Sequence, residues 1–316
     1  MKIFSMLLSG MLVASSILTV SAAKASDFSD MPDDWSTPAL TAAIENDLLA
    51  GSDGLILPKD NLTRAQMATI IVRAFNASTK ASLEDYSDVP SDKWYYEYMQ
   101  KAVAMGVFTG DGSGLLTPEE NITREQVFIV LARAFRLADG DVSELDKFSD
   151  ADSVSSWAKN YTAALVSKGF VNGSDGMLNP KNNITRAEFA QIMYNMIKTY
   201  IDDPATLKGE YEGNVIIRSS NVTITNDAKI GGILVICEGC ENVVIESGAR
   251  MSALIDNRRT SDTGSESGKD DENDKDKDDD IFWVVDGDTS DKDGEDHPNI
   301  GSDNDDEGWT EGIYRP

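Results

Sequence analysis

The sequence predicts a mainly α fold in which three helix–loop–helix repeats pack into one domain, followed by a small β segment and a disordered acidic tail. A five-residue segment recurs with its arginine at positions 64, 124 and 186, and an interval of this size is typical of repeat architectures. An apolar stripe with helical spacing follows each copy. Beyond residue 208 short runs of β-branched residues predict strands, and beyond residue 261 the composition predicts disorder.

The repeated segment has a constant Thr-Arg pair at its centre. Its copies are Leu62-Thr63-Arg64-Ala65-Gln66, Ile122-Thr123-Arg124-Glu125-Gln126 and Ile184-Thr185-Arg186-Ala187-Glu188. A tryptophan lies 29 or 30 residues before each arginine, a glycine follows it after 16 residues, and an aromatic-Ser-Asp triplet precedes it. The tryptophans are Trp35, Trp94 and Trp157, the glycines Gly51, Gly110 and Gly173, and the aspartates Asp30, Asp88 and Asp150. Such regular spacing indicates three copies of one structural unit.

Each Thr-Arg pair is predicted to begin an amphipathic helix. Apolar residues follow at i, i+3, i+4, i+7 and i+8, which places them on one helical face. In the first copy they are Met67, Ile70, Ile71, Ala74 and Phe75, and the same pattern runs over residues 127–135 and 189–197. The threonine is the expected N-cap, and the Gln or Glu three residues later completes a capping box.

Helix propensity does not explain the arginine at the first helical position. A cation there opposes the positive end of the helix dipole, where Asp, Glu or Pro is favoured. Two explanations are open. The guanidinium forms a salt bridge with an acid of a neighbouring repeat, or it binds a carboxylate or phosphate together with free backbone N–H groups at the helix start.

Each tryptophan is predicted to begin a second apolar helical stripe, with the preceding aspartate capping the turn into that helix. Glycine-rich turns connect the two helices of a unit, and they lack the order of a phosphate loop or a calcium loop. These turns are Gly51-Ser52-Asp53-Gly54, Gly110-Asp111-Gly112 and Gly173-Ser174-Asp175-Gly176. A two-helix unit of about 60 residues buries its apolar face poorly by itself, so the three units are expected to pack on one another.

Residues 1–25 have the pattern of a secretory signal peptide. Lys2 precedes an apolar run over residues 3–20, and Ala23-Lys24-Ala25 forms a small-x-small cleavage site. A membrane-anchoring helix is the alternative, but the run is short for a span and is interrupted by Ser and Gly. We expect cleavage after Ala25, export, and no transmembrane segment in the mature chain.

The 316-residue chain is acidic, with a formal net charge of −27. Residues 261–316 carry 21 acidic against 5 basic residues, and residues 26–203 carry 27 against 15. An exported chain with this charge is a poor candidate for nucleic-acid binding. Its charge also repels an anionic polymer at long range, so such a ligand has to be recognised in local pockets.

The sequence offers few groups for catalysis or metal binding. The single histidine, His297, lies in the tail, and we find neither a nucleophile motif nor a defensible pair of catalytic acids. Cys237 and Cys240 lack the second pair that a four-cysteine zinc site requires, which leaves a local disulfide or two free thiols. We therefore predict no catalytic residues, no metal site and no cofactor.

Residues 204–260 are predicted to form a small β-rich segment. Val215-Ile216-Ile217, Val222-Thr223-Ile224, Ile233-Leu234-Val235-Ile236 and Val243-Val244-Ile245 are separated by Asn, Asp and Gly, as in a few turns of a β-solenoid or in a small sheet. So short a segment forms only a small core by itself. Docking on the repeats, dimerisation and a role as the stub of a larger display region are all open. Residues 261–316 are predicted to be disordered from their composition.

The repeats resemble three tandem surface-layer homology (SLH) repeats. The resemblance rests on the aromatic-Ser-Asp opening, the tryptophan, the Gly-Ser-Asp-Gly turn and the Thr-Arg-Ala-Glu signature, and it covers residues 27–201. It assigns residues 26–85, 86–146 and 147–203 to repeats 1, 2 and 3. It implies a pseudo-threefold bundle that holds an exported protein on the cell envelope by binding secondary cell wall polysaccharide, often one with a pyruvate ketal.

The ligand-binding pattern of that family falls on four residues in each repeat. These are Asp30, Trp35, Gly51 and Arg64 in repeat 1, Asp88, Trp94, Gly110 and Arg124 in repeat 2, and Asp150, Trp157, Gly173 and Arg186 in repeat 3. The resemblance implies that arginine pairs with the ketal carboxylate, tryptophan faces a sugar ring, aspartate accepts from a sugar hydroxyl or aligns the arginine, and glycine lets the backbone approach. Gln66 and Gln126 depart from the usual acid, and repeat 1 also has Pro38 in a first helical turn and the shortest Asp-to-Trp spacing.

The leading functional hypothesis is a non-catalytic wall-binding protein at the cell surface. The second is a structural or scaffold subunit of a surface layer, which uses the same anchor while its β segment associates laterally with other copies. The third, a wall-associated enzyme acting on polysaccharide, is disfavoured by the scarcity of catalytic groups.

Overall fold

The structure is a computed structural model that describes residues 23–110 and 113–258. The predicted acidic tail and all but the last three residues of the predicted signal peptide lie outside the described residues. The described residues share one hydrophobic core that runs from the helical repeats into the β segment.

The helical part contains two helices for each repeat, as predicted. Within the described residues they are α1 Thr37–Glu45, α2 Arg64–Ala74, α3 Tyr96–Ala104, α4 Arg124–Ala134, α5 Ser156–Ser167 and α6 Arg186–Met196. The second helix of each repeat packs on the first helix of the next, so that α2 contacts α3, α4 contacts α5 and α6 contacts α1. This closed cycle is the pseudo-threefold bundle.

Backbone hydrogen bonds join the three repeats around the centre of this cycle. The N–H of Leu62 donates to the carbonyl of Ile184 at 3.0 Å, Ile184 donates to Ile122 at 3.1 Å, and Ile122 donates to Leu62 at 3.0 Å. All three side chains are fully buried. The residue before each Thr-Arg pair therefore closes the bundle, because buried backbone groups require partners.

The predicted apolar stripes of α2, α4 and α6 form the core of the bundle. Every residue of the three stripes is buried, and the rings of Phe75 and Phe135 meet edge to face at 5.2 Å. The capping boxes are also present: Gln66, Gln126 and Glu188 accept from the backbone N–H of Thr63, Thr123 and Thr185 at 2.8–3.0 Å. Local sequence thus specifies these helices correctly.

The β segment is a parallel β-solenoid with three faces, which selects the first of the two predicted architectures. Its sheets have the orders β1-β4-β7-β9, β2-β5-β8 and β3-β6, and all pairs are parallel. The strands are β1 Ile197–Ile201, β2 Ala205–Leu207, β3 Glu210–Tyr211, β4 Asn214–Ile217, β5 Val222–Ile224, β6 Lys229–Ile230, β7 Ile233–Ile236, β8 Val244–Ile245 and β9 Ala253–Asp256. All residues of β4 and β7 are buried, as in a parallel sheet covered on both faces.

The solenoid begins directly at the end of the helical bundle. Helix α6 ends at Met196 and β1 starts at Ile197, so the first strand of the solenoid lies before the predicted boundary at residues 203 and 204. The sequence does not show where α6 ends, because Ile197 fits the apolar spacing of the helix. In the structure Ile197 is the first residue of β1 and pairs with β4. With no intervening loop, the two parts are coupled at this point.

Charged side chains dock the solenoid against the bundle. Both oxygens of Asp202 bind the guanidinium of Arg218 at 2.6 and 2.7 Å, and the same guanidinium donates to the carbonyls of Asn46 and Arg73. Those carbonyls lie at the ends of α1 and α2, where a cation is favoured. Docking on the repeats, one of the three possibilities left open, is therefore the observed arrangement.

Cys237 and Cys240 are both buried in the solenoid and carry free thiols. Burial raises the pKa of each above the ordinary value for a thiol. Among the described residues, none of the helices has the length and apolar character needed to cross a bilayer.

Candidate functional site

The three motif aspartates hold the loop of their own repeat. The carboxylate of Asp88 accepts from the backbone N–H groups of Leu116 and Thr117 at 3.0 and 2.6 Å. Asp30 and Asp150 make the equivalent pairs of bonds, to Ile56 and Leu57 and to Leu178 and Asn179, at 2.6–2.8 Å. The prediction that they cap the following helix is wrong, because residues 36, 95 and 155 occupy those N-cap positions.

Each motif arginine is oriented by the loop that an aspartate of the next repeat holds. Arg64 donates through Nε to the carbonyl of Leu116, Arg124 to Leu178, and Arg186 to Ile56, at 2.7–2.8 Å. The aspartate and the arginine that act together therefore come from different repeats.

The first backbone N–H groups of α2, α4 and α6 are already bonded. Arg64 and Ala65 donate to the carbonyls of Glu120 and Pro118, and the corresponding residues of α4 and α6 donate to carbonyls of repeats 3 and 1. The prediction that free N–H groups accompany the arginine is thus wrong. These first N–H groups are therefore not available to an anion.

The motif glycines allow the aromatic residue of each triplet to pack against the loop. A Cβ at Gly51 would lie 2.2 Å from the ring of Phe28, and one at Gly110 would lie 2.8 Å from the ring of Tyr86. Gly173 has φ +66°, and a Cβ there would lie 2.4 Å from the carbonyl oxygen of Met177. These positions require glycine for structural reasons.

The motif tryptophans lie outside the hydrophobic core. Trp35, Trp94 and Trp157 are 59%, 60% and 53% exposed. The prediction that each begins a buried helical stripe is correct only for the residues that follow it, such as Ala39, Ala43 and Ile44. Three large exposed aromatic side chains at equivalent positions are typical of a binding surface rather than of a folding requirement.

Two surface grooves bring the motif residues together in combinations that cross all three repeats. The Arg64 groove, of about 760 Å³, is lined by Arg64 of repeat 1, Gly110 of repeat 2 and Trp157 of repeat 3. The Arg124 groove, of about 520 Å³, is lined by Arg124, Gly173 and Trp35. In each of these two grooves the arginine, the glycine and the tryptophan therefore come from three different repeats. Arg186 also contacts the loop of repeat 1, because its Nη2 donates to the carbonyl of Ala50, next to Gly51, at 2.8 Å.

The repeats match a known family. The model of the S-layer homology domain matches residues 27–68, 85–128 and 147–190. The chain carries three S-layer homology domains. This confirms the resemblance and the three-repeat fold, and places the chain at the bacterial cell surface with its surface-layer relatives.

Proteins that are similar to this chain include some named as surface-layer proteins and one named as an enzyme. The Surface-layer 125 kDa protein of Lysinibacillus sphaericus is 31% identical over 235 residues, which are 72% of this chain and 19% of that protein. The S-layer protein sap of Bacillus anthracis is 26% identical over 211 residues, 66% of this chain and 25% of that protein. An amylopullulanase of Thermoanaerobacterium thermosulfurigenes is 31% identical over 176 residues, 54% of this chain and 9% of the enzyme. The chain thus spans a quarter or less of each of these relatives.

The two grooves between the S-layer homology domains differ in charge. In the Arg124 groove, Nη1 of Arg124 lies 3.2 Å from Oε1 of Glu188. The corresponding position in the Arg64 groove is Gln126, a neutral amide, and Arg133 adds a second guanidinium where the third domain has Asn195. Glu120 also lines the Arg64 groove, so that lining has two guanidinium groups against one carboxylate, whereas the lining of the Arg124 groove has one of each. By its lining residues the Arg64 groove is the more cationic of the two.

Burial affects the guanidinium groups of the second and third domains. Arg124 and Arg186 are 9% and 8% exposed, and this burial lowers the pKa of both, while Glu188 near Arg124 and Asp60 near Arg186 act in the opposite direction. An arginine stays protonated despite such shifts. The grooves therefore keep permanent positive charge in partly desolvated positions.

Sequence reasoning missed a cluster that holds Trp157. The buried carboxylate of Glu125 accepts from the backbone N–H of Ser155 at 3.0 Å and from Nζ of Lys181 at 2.6 Å. Nζ of Lys181 in turn lies 6.0 Å from the centre of the Trp157 ring. Domains 1 and 3 have alanine in place of Glu125, at positions 65 and 187. This difference was visible in the sequence, but the link from Glu125 through Lys181 to Trp157 was not.

Arg133 was also missed as a candidate. It lies nine residues after the motif arginine, and its counterparts are Arg73 and Asn195. Nη1 of Arg133 lies 3.4 Å from Oγ1 of Thr109, and its guanidinium lies over the ring of Tyr161 at 5.8 Å. Within residues 23–110 and 113–258, acidic, Cys and His side chains do not gather into groups of three suited to a metal ion.

Proposed function

We propose that this chain attaches its protein to the bacterial cell wall by binding an acidic, pyruvylated secondary cell wall polysaccharide, with the Arg64 groove as the principal site. The observation that carries this proposal is the pairing of a half-exposed tryptophan from one domain with an oriented arginine from another along one groove. A sugar that carries a carboxylate has the two features that such a groove recognises.

The side chains of the groove supply complementary contacts. The guanidinium of Arg64 is oriented through its Nε bond to Leu116, and it binds the ketal carboxylate by charge-assisted hydrogen bonds. The face of Trp157 packs against the C–H face of the sugar ring. Asp88 acts indirectly, since it holds the loop that orients Arg64.

The charge difference between the grooves supports the Arg64 groove as the principal site. A carboxylate entering the Arg124 groove competes with Glu188 for Arg124. In the Arg64 groove the residue equivalent to Glu188 is neutral, and the charge of the lining carboxylate Glu120 is exceeded by those of Arg64 and Arg133. Local pockets of this kind also explain how an acidic protein binds an acidic polymer, because the repulsion between net charges is screened within about 8 Å at physiological salt.

The proposal is tested by calorimetry on the mature chain with purified wall polymer, before and after chemical removal of pyruvate. Arg64→Gln is expected to weaken binding by about tenfold or more, since a hydrogen bond to a charged group contributes roughly 1.5–3 kcal/mol. Trp157→Ala is also expected to weaken binding, because it removes the aromatic face that packs against the sugar ring. Removing pyruvate should weaken the wild type to a similar extent. Arg250→Gln, an exposed solenoid residue, is the charge-matched control.

The outcomes separate the parts of the proposal. Unchanged affinity for the depyruvylated polymer contradicts recognition of the ketal. If Arg64→Gln binds with wild-type affinity and its binding still depends on pyruvate, the site lies in another groove. Unfolding curves of each variant exclude loss of fold as the cause.

A second candidate function is a surface-layer subunit that associates through its solenoid. Strand β9 is the last strand in the order β1-β4-β7-β9, so among the described residues its outer edge faces no further strand. Such edges pair readily with other chains. Sedimentation of the wild type should show concentration-dependent assembly that Ala253→Lys removes. A wild type that stays monomeric at high concentration contradicts this function.

The absence of catalytic activity remains a prediction. Matching segments occur in proteins named as surface-layer proteins and in one named as an amylopullulanase. Our proposal assigns the described residues to attachment, and release of reducing sugar from wall polymer by the purified chain would contradict it.

A further inference from the structure

We propose that the Arg64 groove continues past Arg133 into a second sugar subsite, which the helical bundle and the solenoid form together. This subsite takes the next acidic part of the same polysaccharide. The inference rests on the proposed function of the Arg64 groove.

The continuity is visible in the residues that line the two spaces. A junction cavity of about 280 Å³ lies between the second S-layer homology domain and the end of the solenoid. Val107 and Arg133 line both this cavity and the Arg64 groove. The two spaces are therefore adjacent at Val107 and Arg133, which places the junction cavity within reach of a chain-like ligand in the groove.

The junction cavity has the polar groups that an acidic sugar requires. Arg136 contributes from the end of α4, and Nη2 of Arg136 donates to Oδ1 of Asn257 at 3.0 Å. Arg258 contributes from the end of the solenoid, where it donates to Asp256 and to the carbonyl of Val243. Both guanidinium groups are thus positioned at the cavity wall by neighbouring groups.

The charge of the cavity is positive in an acidic protein. Its lining contains Arg133, Arg136 and Arg258 against two carboxylates. One carboxylate, Glu238, accepts four hydrogen bonds from Ser78 and Thr79 at 2.6–2.9 Å, and the other is paired with Arg258. All four bonds to Glu238 reach the same oxygen, and this carboxylate stays ionised. The positive charge of the cavity therefore comes from the excess of three guanidinium groups over two carboxylates.

The apolar part of the lining suits a sugar ring. Phe75, Ala77 and Met105 line the same cavity as the arginines. A space lined by apolar side chains with a few placed polar groups is typical of small-ligand sites.

The subsite is already formed before the ligand binds. The solenoid follows α6 directly, and Glu238 and Arg218 bond it to the first domain. A preformed site avoids the cost of ordering its side chains and backbone on binding. The solenoid thus has a role in binding the wall polymer in addition to any role in assembly.

The test compares a polymer with a single sugar on the full mature chain. Calorimetry measures affinity for the pyruvylated wall polymer and for the methyl glycoside of one pyruvylated sugar. Arg136→Asn copies Asn76, which occupies the equivalent position of the first domain with φ +46° against +44° for Arg136. This variant should therefore fold, and Arg258→Gln provides an independent second change.

We expect each variant to lower the ratio of polymer affinity to single-sugar affinity about tenfold, because each variant loses one hydrogen bond to a charged group of the polymer. Arg250→Gln is the charge-matched control and should keep the wild-type ratio. A wild-type ratio in both Arg136→Asn and Arg258→Gln overturns the junction subsite. A wild type that binds neither ligand overturns the proposed function instead.

Other occupants give distinct results. If a second copy fills the cavity, Arg136→Asn changes the sedimentation coefficient and leaves the affinity ratio at its wild-type value. If the acidic residues that follow Arg258 fill it, a chain ending at residue 260 binds polymer more tightly than the full chain, and Arg136→Asn removes that gain. Either result contradicts the inference.

Discussion

The Nε atom of Arg64 donates a 2.7 Å hydrogen bond to the carbonyl oxygen of Leu116, so a loop of the second domain orients an arginine of the first. Asp88 holds that loop by accepting from the backbone N–H groups of Leu116 and Thr117. The same relationship recurs around the cycle of domains. Folding of one domain therefore prepares the binding residue of its neighbour.

Replacing Asp88 by Asn should destabilise the chain and weaken polymer binding together. The neutral amide loses the charge that strengthens both hydrogen bonds and turns a donor toward one backbone N–H group. We expect a loss of about 1–3 kcal/mol in the free energy of unfolding, measured by denaturant titration. Asp85→Asn, at an exposed position three residues earlier, is the control. Unchanged unfolding of Asp88→Asn would contradict the role of this carboxylate in the loop.

Changing the charge at two equivalent positions should change the affinity for the pyruvylated polymer in opposite directions. Glu188→Gln removes the carboxylate that pairs with Arg124, and Gln126→Glu introduces one into the Arg64 groove. Both residues retain the capping box, because glutamine and glutamate each accept from the threonine N–H. We expect Glu188→Gln to raise and Gln126→Glu to lower affinity for the pyruvylated polymer, measured by calorimetry. Equal affinities in all three proteins would show that the acid at this position does not control binding.

Replacing Gly173 by Ala should cost more stability than replacing Gly176 by Ala. Both residues have positive φ, +66° and +73°, so both alanines carry backbone strain of about 1–2 kcal/mol. At Gly173 the new Cβ also lies 2.4 Å from the carbonyl of Met177, whereas at Gly176 it meets no atom within 4 Å. Thermal unfolding of the two variants separates strain from steric conflict. Equal melting temperatures would mean that the loop adjusts to the extra carbon.

Glu238 should make the stability of the chain depend on acid pH. Burial raises the pKa of Glu238, but hydrogen bonds from Ser78 and Thr79 lower it by more, and the pKa lies below the ordinary value. A lowered carboxyl pKa in the folded state stabilises the chain above the unfolded pKa, and this contribution is lost as pH falls through the folded value. The relevant window is therefore below about pH 4.5.

The measurement for Glu238 is the free energy of unfolding at a series of pH values. Glu238→Gln should be less stable than the wild type at pH 7, and the difference should shrink as the pH falls through this window. The exposed Glu241→Gln is the control. A difference that does not change with pH would mean that the charge of Glu238 does not contribute to docking.

The sequence by itself determined the repeat, its helices and the change to β structure. Thr63, Gln66 and the apolar stripe from Met67 specify a capped amphipathic helix through interactions within a few residues, and such local signals are readable without a structure. Spacing identified all twelve motif positions. The β-branched runs likewise predicted strands β4, β5, β7 and β8, whereas the other five strands of the solenoid were not predicted.

The tertiary structure decided which motif residues act together. Arg64, Gly110 and Trp157 belong to three different repeats, and their meeting depends on the cyclic packing of α2 on α3 and α4 on α5. It also decided that Asp30, Asp88 and Asp150 bind loops rather than helix starts, and that Arg136 and Arg258 meet at one cavity. The physical reason is distance along the chain: contacts between residues 26 to 136 positions apart depend on how elements and whole units pack, and no local propensity encodes that packing.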